Sequence, residues 1–468
     1  MDTEELMYAG LTEQARLVAS GEVSSRELTE AVLARINRLN PELNAFRAVL
    51  ADAALAEATQ RDHVPAAERG PLHGVPVAIK DEVDVEGAVT TFGGLANRTP
   101  ATADAEVVRR LRVAGAVIVG KTTMPEFGQW PFTESATYGA TRNPWDTTRT
   151  PGGSSGGTAT AVASGMIAAA LGGDGGGSIR IPSACCGLFG LKPQRGRVST
   201  APHRDLWLTL GTSGPLTRGV ADSALFYDAI RGSVGVDRWH AEEPRMSFVD
   251  AAATPPGTLR IGYSATPAVR GLRPDPEHVA ALEHTAAALR EAGHDVREIT
   301  PRYPDATAMF TPQFYGGVRD EARLVEHPEL LERRTKQTLA LARLMPEKAI
   351  QWSVDNTEKF AAKVNLVFDD VDLLLTPTIA HRPRRIGALD GANSLTAQVR
   401  ALPMIAYTAL WNLAGNPAAA VPAGFGADGL PLSVQLVGRP HDEVSILQVA
   451  AQLETARPWA QHRPVFRS

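Results

Sequence analysis

Short apolar runs alternate with helical stretches along this chain, and that alternation limits its folds more than any other feature. Leu72-His73-Gly74-Val75-Pro76-Val77-Ala78-Ile79-Lys80-Asp81 reads as a buried strand that ends in a charge pair. Asp104 to Ala114 reads as a helix and Gly115 to Lys121 as a second buried strand. The pattern returns as a strand at Leu259 to Tyr263, a helix at Pro276 to Ala292 and a strand at Asp295 to Ile299. Further strands are expected at Val371 to Pro377, Ala418 to Val421 and Leu432 to Gly438, and a closing helix at Glu443 to Glu454. Helices that alternate with buried strands predict an α/β protein whose sheet carries helices on its faces. Open sheets of this kind bind ligands at their strand ends, which draws attention to Lys80 and Asp81.

Residues 1–62 read as helical, with Ser24 or Ser25 and Glu27 as a start signal and Pro41 as a stop. With 468 residues, the expected division is an N-terminal helical segment (1–65) packed on one α/β domain (66–468). Within that domain, 300–370 is the variable helical region expected to form a pocket. Arg231 to Pro256 reads as a polar surface excursion and Gly214-Pro215 as a turn. The charge balance is 47 − 52 = −5 with no basic tract, which argues against nucleic acid as a ligand. Cys185 and Cys186 are adjacent and staple nothing, which points to a reduced, cytoplasmic protein and offers no zinc spacing. No apolar leader is seen, and the longest apolar run, Ala161 to Leu171, is too short to span a bilayer.

Two glycine-rich stretches remain to be explained. Pro151-Gly152-Gly153-Ser154-Ser155-Gly156-Gly157 precedes an Ala-rich helix running to Leu171, and Gly172-Gly173-Asp174-Gly175-Gly176-Gly177-Ser178 follows it. A phosphate loop would need a lysine that neither stretch has, or a dinucleotide spacing that neither satisfies. A nucleophile elbow matches Gly152 to Gly156, but no strand precedes it, and its best candidate histidine, His441, reads equally as a surface residue in a turn. As plain packing turns, the loops would leave Ser155 as a helix cap. A serine nucleophile activated by lysine accounts for more. Three glycines precede Ser178, and their bare N–H groups can converge on an oxyanion. Lys80 can act as base only in its neutral form, which near pH 7 costs about 4 kcal/mol against its usual preference. Burial at a strand end is the expected source of that shift, and Ser154 can pass the proton between them.

At these residues the chain resembles the amidase signature family, over nearly its whole length. The pattern stands as Val77-Ala78-Ile79-Lys80-Asp81, then Gly152 to Gly157, then Asp174-Gly175-Gly176-Gly177-Ser178-Ile179-Arg180. Gly190-Leu191-Lys192-Pro193, Asn412 to Pro417 and Val437-Gly438-Arg439-Pro440 also fit. The resemblance implies a three-layer α/β/α fold with a central mixed sheet. It implies a cofactor-free amidase acting on linear amide bonds, with a small-molecule amide as its partner and no membrane. A homodimer is compatible with it. It makes Ser178 the acyl-forming nucleophile, Ser154 the bridging serine after a cis peptide, and Lys80 the base and acid. The oxyanion donors become Gly175, Gly176, Gly177 and Ser178, while Asp174, Arg180 and Ser155 are supports. One departure stands out: Gly173 takes the place of a threonine or serine.

Within the family, the A subunit of glutamyl-tRNA amidotransferase is the competing reading. Ile181 stands where that subunit has glutamine, and 199–212 lacks its usual tail, so a free-standing amidase of actinobacterial type is preferred. An α/β-hydrolase-type esterase is the more distant alternative. Phe127, Trp130, Phe132 and Trp207 are the expected pocket residues, and such a lining would suit an aryl or alkyl amide.

Overall fold

The computed structural model describes residues 2–269 and 271–466. Its centre is an eleven-stranded sheet. In chain order the strands are β1 (Phe46–Val49), β2 (Pro76–Lys80), β3 (Val117–Thr122), β4 (Ala169–Gly173), β5 (Phe189–Lys192) and β6 (Ser213–Thr217). They continue with β7 (Arg260–Tyr263), β8 (Asp295–Glu298), β9 (Leu373–Pro377), β10 (Ala418–Phe425) and β11 (Pro431–Gly438). The spatial order is β1-β3-β2-β4-β6-β5-β10-β11-β9-β7-β8. β2 runs parallel to both β3 and β4, while β4 is antiparallel to β6, so the sheet is mixed.

The period-two alternation of strand side chains separates two apolar layers. Val77 and Ile79 of β2, Ile118 of β3 and Leu171 of β4 face one core. Helices Glu106–Val113, Val220–Ile230, Pro276–Glu291 and Glu443–Ala456 close it through Leu111, Phe226, Leu282 and Leu447. Ala78, Val117, Val119 and Ala170 face the opposite core, closed by Ser25–Leu43 and Gly156–Ala163 through Val32, Ile36 and Val162. The fold is therefore three-layered, with helices on both faces.

The N-terminal segment also supplies an edge strand, because β1 pairs antiparallel with β3. Ser24 and Glu27 form a complete capping box at the start of Ser25–Leu43. Pro41 does not end that helix. It lies within the last turn, and Asn44 in the left-handed region ends the helix. The Ala-rich run is not one helix: it breaks after Ala163, and β4 follows. Gly214-Pro215 lies inside β6 rather than in a turn. The 231–256 excursion carries a short helix, Phe248–Ala253, that buries Phe248. Residues 300–370 form helices Thr307–Glu321, Arg333–Arg343, Glu347–Asp355 and Thr357–Asn365 beside the strand ends. Among the described residues, no helix is long and apolar enough to cross a membrane.

Candidate active site

Lys80 is the last residue of β2, and its side chain is buried. Its Nζ donates to Ser154 Oγ at 2.7 Å across a separation of 74 residues. Ser154 follows a cis peptide bond with Gly153. Ser178, partly buried, lies beyond the end of β4. All three serve as walls of one cavity of about 410 Å³.

The second glycine loop is braced from below. Asp174 and Arg180 form a fully buried ion pair at 2.9 Å. The Asp174 carboxylate also accepts from the N–H groups of Gly177 and Ile179, and from Asn412 Nδ2. Burial opposes charge on Asp174, but Arg180 and Asn412 outweigh it and hold the carboxyl below the usual range. Arg180 further donates to Gln435 Oε1, Asn412 Oδ1 and the Thr408 carbonyl. Thr408 Oγ1 in turn donates to the Gly176 carbonyl at 2.6 Å.

This bracing alters the expected oxyanion set. The Gly177 N–H is committed to Asp174 Oδ1 at 2.7 Å and is not free for a ligand. Among the described residues, the N–H groups of Gly175, Gly176 and Ser178 meet no protein acceptor, and these three residues border the cavity. Ser155 occupies the N-cap position of Gly156–Ala163 without capping it. Its Oγ instead donates to the Gly173 carbonyl at 3.2 Å and accepts from the Gly173 N–H at 3.3 Å, tying the first loop to β4. The nucleophile-elbow reading loses its histidine as well: His441 accepts from the Glu242 N–H and is not among the cavity residues.

A family model described as Amidase matches residues 27–447. The chain belongs to the amidase family. It is 47% identical to the putative amidase AmiB2 of Mycobacterium tuberculosis over 99% of both chains. The solved structure of a 6-aminohexanoate cyclic dimer hydrolase complexed with substrate is similar at a TM-score of 0.90 and 33% identity, covering 98% of this chain and 99% of the other. A bacterial aryl acylamidase of the amidase signature family is similar at a TM-score of 0.85 and 27% identity, with 97% of each chain covered.

Three of the four aromatics expected at the pocket of this amidase, Phe127, Trp130 and Trp207, border the cavity. Phe132 does not. It stacks on Trp130 at 5.6 Å with the Arg334 guanidinium over both rings, so it supports the wall from behind. Phe310 and Phe314, from helix Thr307–Glu321, complete the aromatic wall, and Trp207 lies 5.6 Å from Phe314.

The cavity also holds carboxylates that motif reading passed over. Glu82 Oε2 lies 3.1 Å from Lys80 Nζ. Lys80 and Asp81 therefore do not pair as the adjacent charges suggested: Asp81 is held by Arg47, Thr91 and Lys121. Glu321 faces the same space, and its Oε2 is sealed from solvent without a hydrogen-bond partner among the described residues. Burial, with Glu82 and Asp320 nearby, pushes its carboxyl up to about 8. No cluster of three or more His, Cys, Asp or Glu side chains suited to a metal ion occurs among the described residues. Cys185 and Cys186 are both buried and unbridged, and burial pushes the Cys185 thiol up to about 12.

Proposed function

We propose that this protein hydrolyses a linear carboxylic amide through an acyl-enzyme on Ser178. The observation that carries the reading is the 2.7 Å contact between Lys80 Nζ and Ser154 Oγ, buried at the wall of the cavity that Ser178 also borders. In the neutral state Lys80 draws a proton from Ser154, and Ser154 draws one from Ser178 as Ser178 Oγ attacks the amide carbonyl. The oxyanion rests on the free N–H groups of Gly175, Gly176 and Ser178. The proton returns along the same path to the leaving nitrogen, ammonia or an amine departs, and water hydrolyses the ester. Each step needs only the chain's own groups, the amide and water.

The wall of Trp207, Phe310 and Phe314 favours an aryl or alkyl acyl group. The similarity to an aryl acylamidase and to a cyclic dimer hydrolase supports amides larger than the simplest aliphatic ones.

The test treats the purified chain with a phosphonyl fluoride and maps the labelled peptide by mass spectrometry. Label on Ser178 and acid release from an anilide panel by the lone chain support the reading. Label on another serine, or full activity in a Lys80→Ala variant, overturns it.

A further inference from the structure

Among the described residues, Lys80 Nζ has two side-chain partners, Ser154 Oγ at 2.7 Å and Glu82 Oε2 at 3.1 Å. The other oxygen of Glu82 fills the space beside Gly173. A Cβ on residue 173 would lie 2.0 Å from Glu82 Oε1 and 3.7 Å from Lys80 Nζ. The backbone there cannot easily step aside. Gly173 is paired with Ser213 in the sheet, and Ser155 Oγ holds both its N–H and its carbonyl. Gly128 bounds the same space: a Cβ on it would lie 3.1 Å from Ser154 Oγ and 3.5 Å from Glu82 Oε2. A side chain at 173 would thus push Glu82 Oε1 out of the place it holds beside the lysine.

We propose that Glu82 is a positioning residue for Lys80, and that glycine at 173 is the vacancy that admits it. The role follows from the valence of an amine, and it rests on the amidase reading above. A neutral lysine has two N–H bonds and one lone pair. With a single hydrogen-bond partner it rotates freely about its last C–N bond, and the lone pair points away from Ser154 most of the time. A second acceptor that takes one N–H fixes that rotation and leaves the lone pair free to face Ser154 Oγ.

The experiment compares wild type with Glu82→Ala, Glu82→Gln, Gly173→Thr and the double variant Glu82→Ala/Gly173→Thr. Each is measured for kcat and KM on one neutral anilide, for the rate of Ser178 phosphonylation, and for thermal unfolding. General acid–base groups contribute about 10²- to 10⁴-fold, and a misaligned one forfeits part of that. Glu82→Ala is expected to lower kcat by about 10- to 100-fold with KM changed less than about threefold. Glu82→Gln, which keeps an acceptor oxygen and the shape, falls in between. Gly173→Thr alone loses kcat because two side chains contest one space. The double variant recovers about tenfold over Glu82→Ala, since a hydroxyl on Cβ at 173 comes within reach of Nζ. Glu82→Ala or Glu82→Gln with wild-type kcat overturns the proposal, and so does a double variant no faster than Glu82→Ala. A wild-type chain that hydrolyses no amide and takes no label on Ser178 fails at the amidase reading itself. A fully active wild type with an indifferent Glu82 defeats only the positioning role.

Discussion

Asp174 and Arg180 bury a complete ion pair six residues apart, with neither side chain exposed to solvent. Removing one partner leaves the other charge buried and uncompensated, which typically costs about 3–5 kcal/mol. Asp174→Ala is therefore expected to lower unfolding stability by about that amount in urea titration. It also frees the Gly177 N–H and unties the loop that carries Ser178, so kcat falls in whatever fraction remains folded. Arg180→Ala should give the same pair of losses.

Glu321 makes stability fall as pH rises. Its ordinary value is 4.5 and its folded value about 8, so between those limits the native chain holds a proton that the unfolded chain has released. Glu126 and Glu454, each pushed up to about 7 by burial first of all, act in the same direction. The melting temperature of wild type is expected to fall relative to that of Glu321→Gln as pH rises from 5 to 8. A Glu321→Gln curve parallel to wild type would assign the slope to the other carboxyls.

Phe314 and Phe132 should separate by readout. Phe314 borders the cavity, so Phe314→Ala is expected to raise KM for an anilide by about 10-fold, the scale of a lost apolar contact. Phe132 backs Trp130 instead. Phe132→Ala is expected to cost about 3–5 kcal/mol of stability with a smaller change in KM.

Charge on the substrate gives a further test. Among the described residues, Glu82, Asp84, Asp205 and Asp320 line the cavity and outnumber its cations, Lys80 and Arg204. A neutral anilide is expected to exceed its carboxylate-bearing analogue in kcat/KM by about 10-fold or more, the effect of about 1.4 kcal/mol of like-charge repulsion. The difference should narrow with added salt.

The legible and illegible parts of this site differ in physical kind. Lys80, Ser154, Asp174 and Arg180 were readable because each sits in a local pattern whose residue types are scarce together: a lysine closing an apolar run, serines between glycines, an aspartate six residues from an arginine. β4 and β6 were not readable, since Ala169–Gly173 and Ser213–Thr217 are largely Ala, Gly and Pro, which carry little strand signal. Phe132 misled because period and type place a ring at the site without saying which way it faces. Glu82 was hidden for a different reason. Its contact with Lys80 depends on a side chain that is missing at 173, and the sequence shows that absence without showing what fills it. The commitment of the Gly177 N–H to Asp174 is equally invisible, because a run of glycines says nothing about which donor already has a partner.

Lys80 and Gly173 leave the sheet at the ends of neighbouring parallel strands, with Ala78 opposite Ala170 and Ile79 opposite Leu171. The gap between the proposed base and the proposed nucleophile loop is therefore fixed by a hydrogen-bonded ladder, and Ser155 ties its neighbour Ser154, the proposed bridging serine, to the same strand end. The cavity's aromatic wall comes from elsewhere, chiefly helix Thr307–Glu321 and the stretch around Trp207. That wall also packs on the second glycine loop: a Cβ on Gly176 would lie 3.5 Å from the Phe310 ring and one on Gly175 4.0 Å from the Trp207 ring. A library confined to 199–210 and 307–324 would therefore leave untouched the ladder that sets the Lys80 and Gly173 strand ends, while Trp207 and Phe310 are the wall positions whose substitution also reaches the loop that carries Ser178.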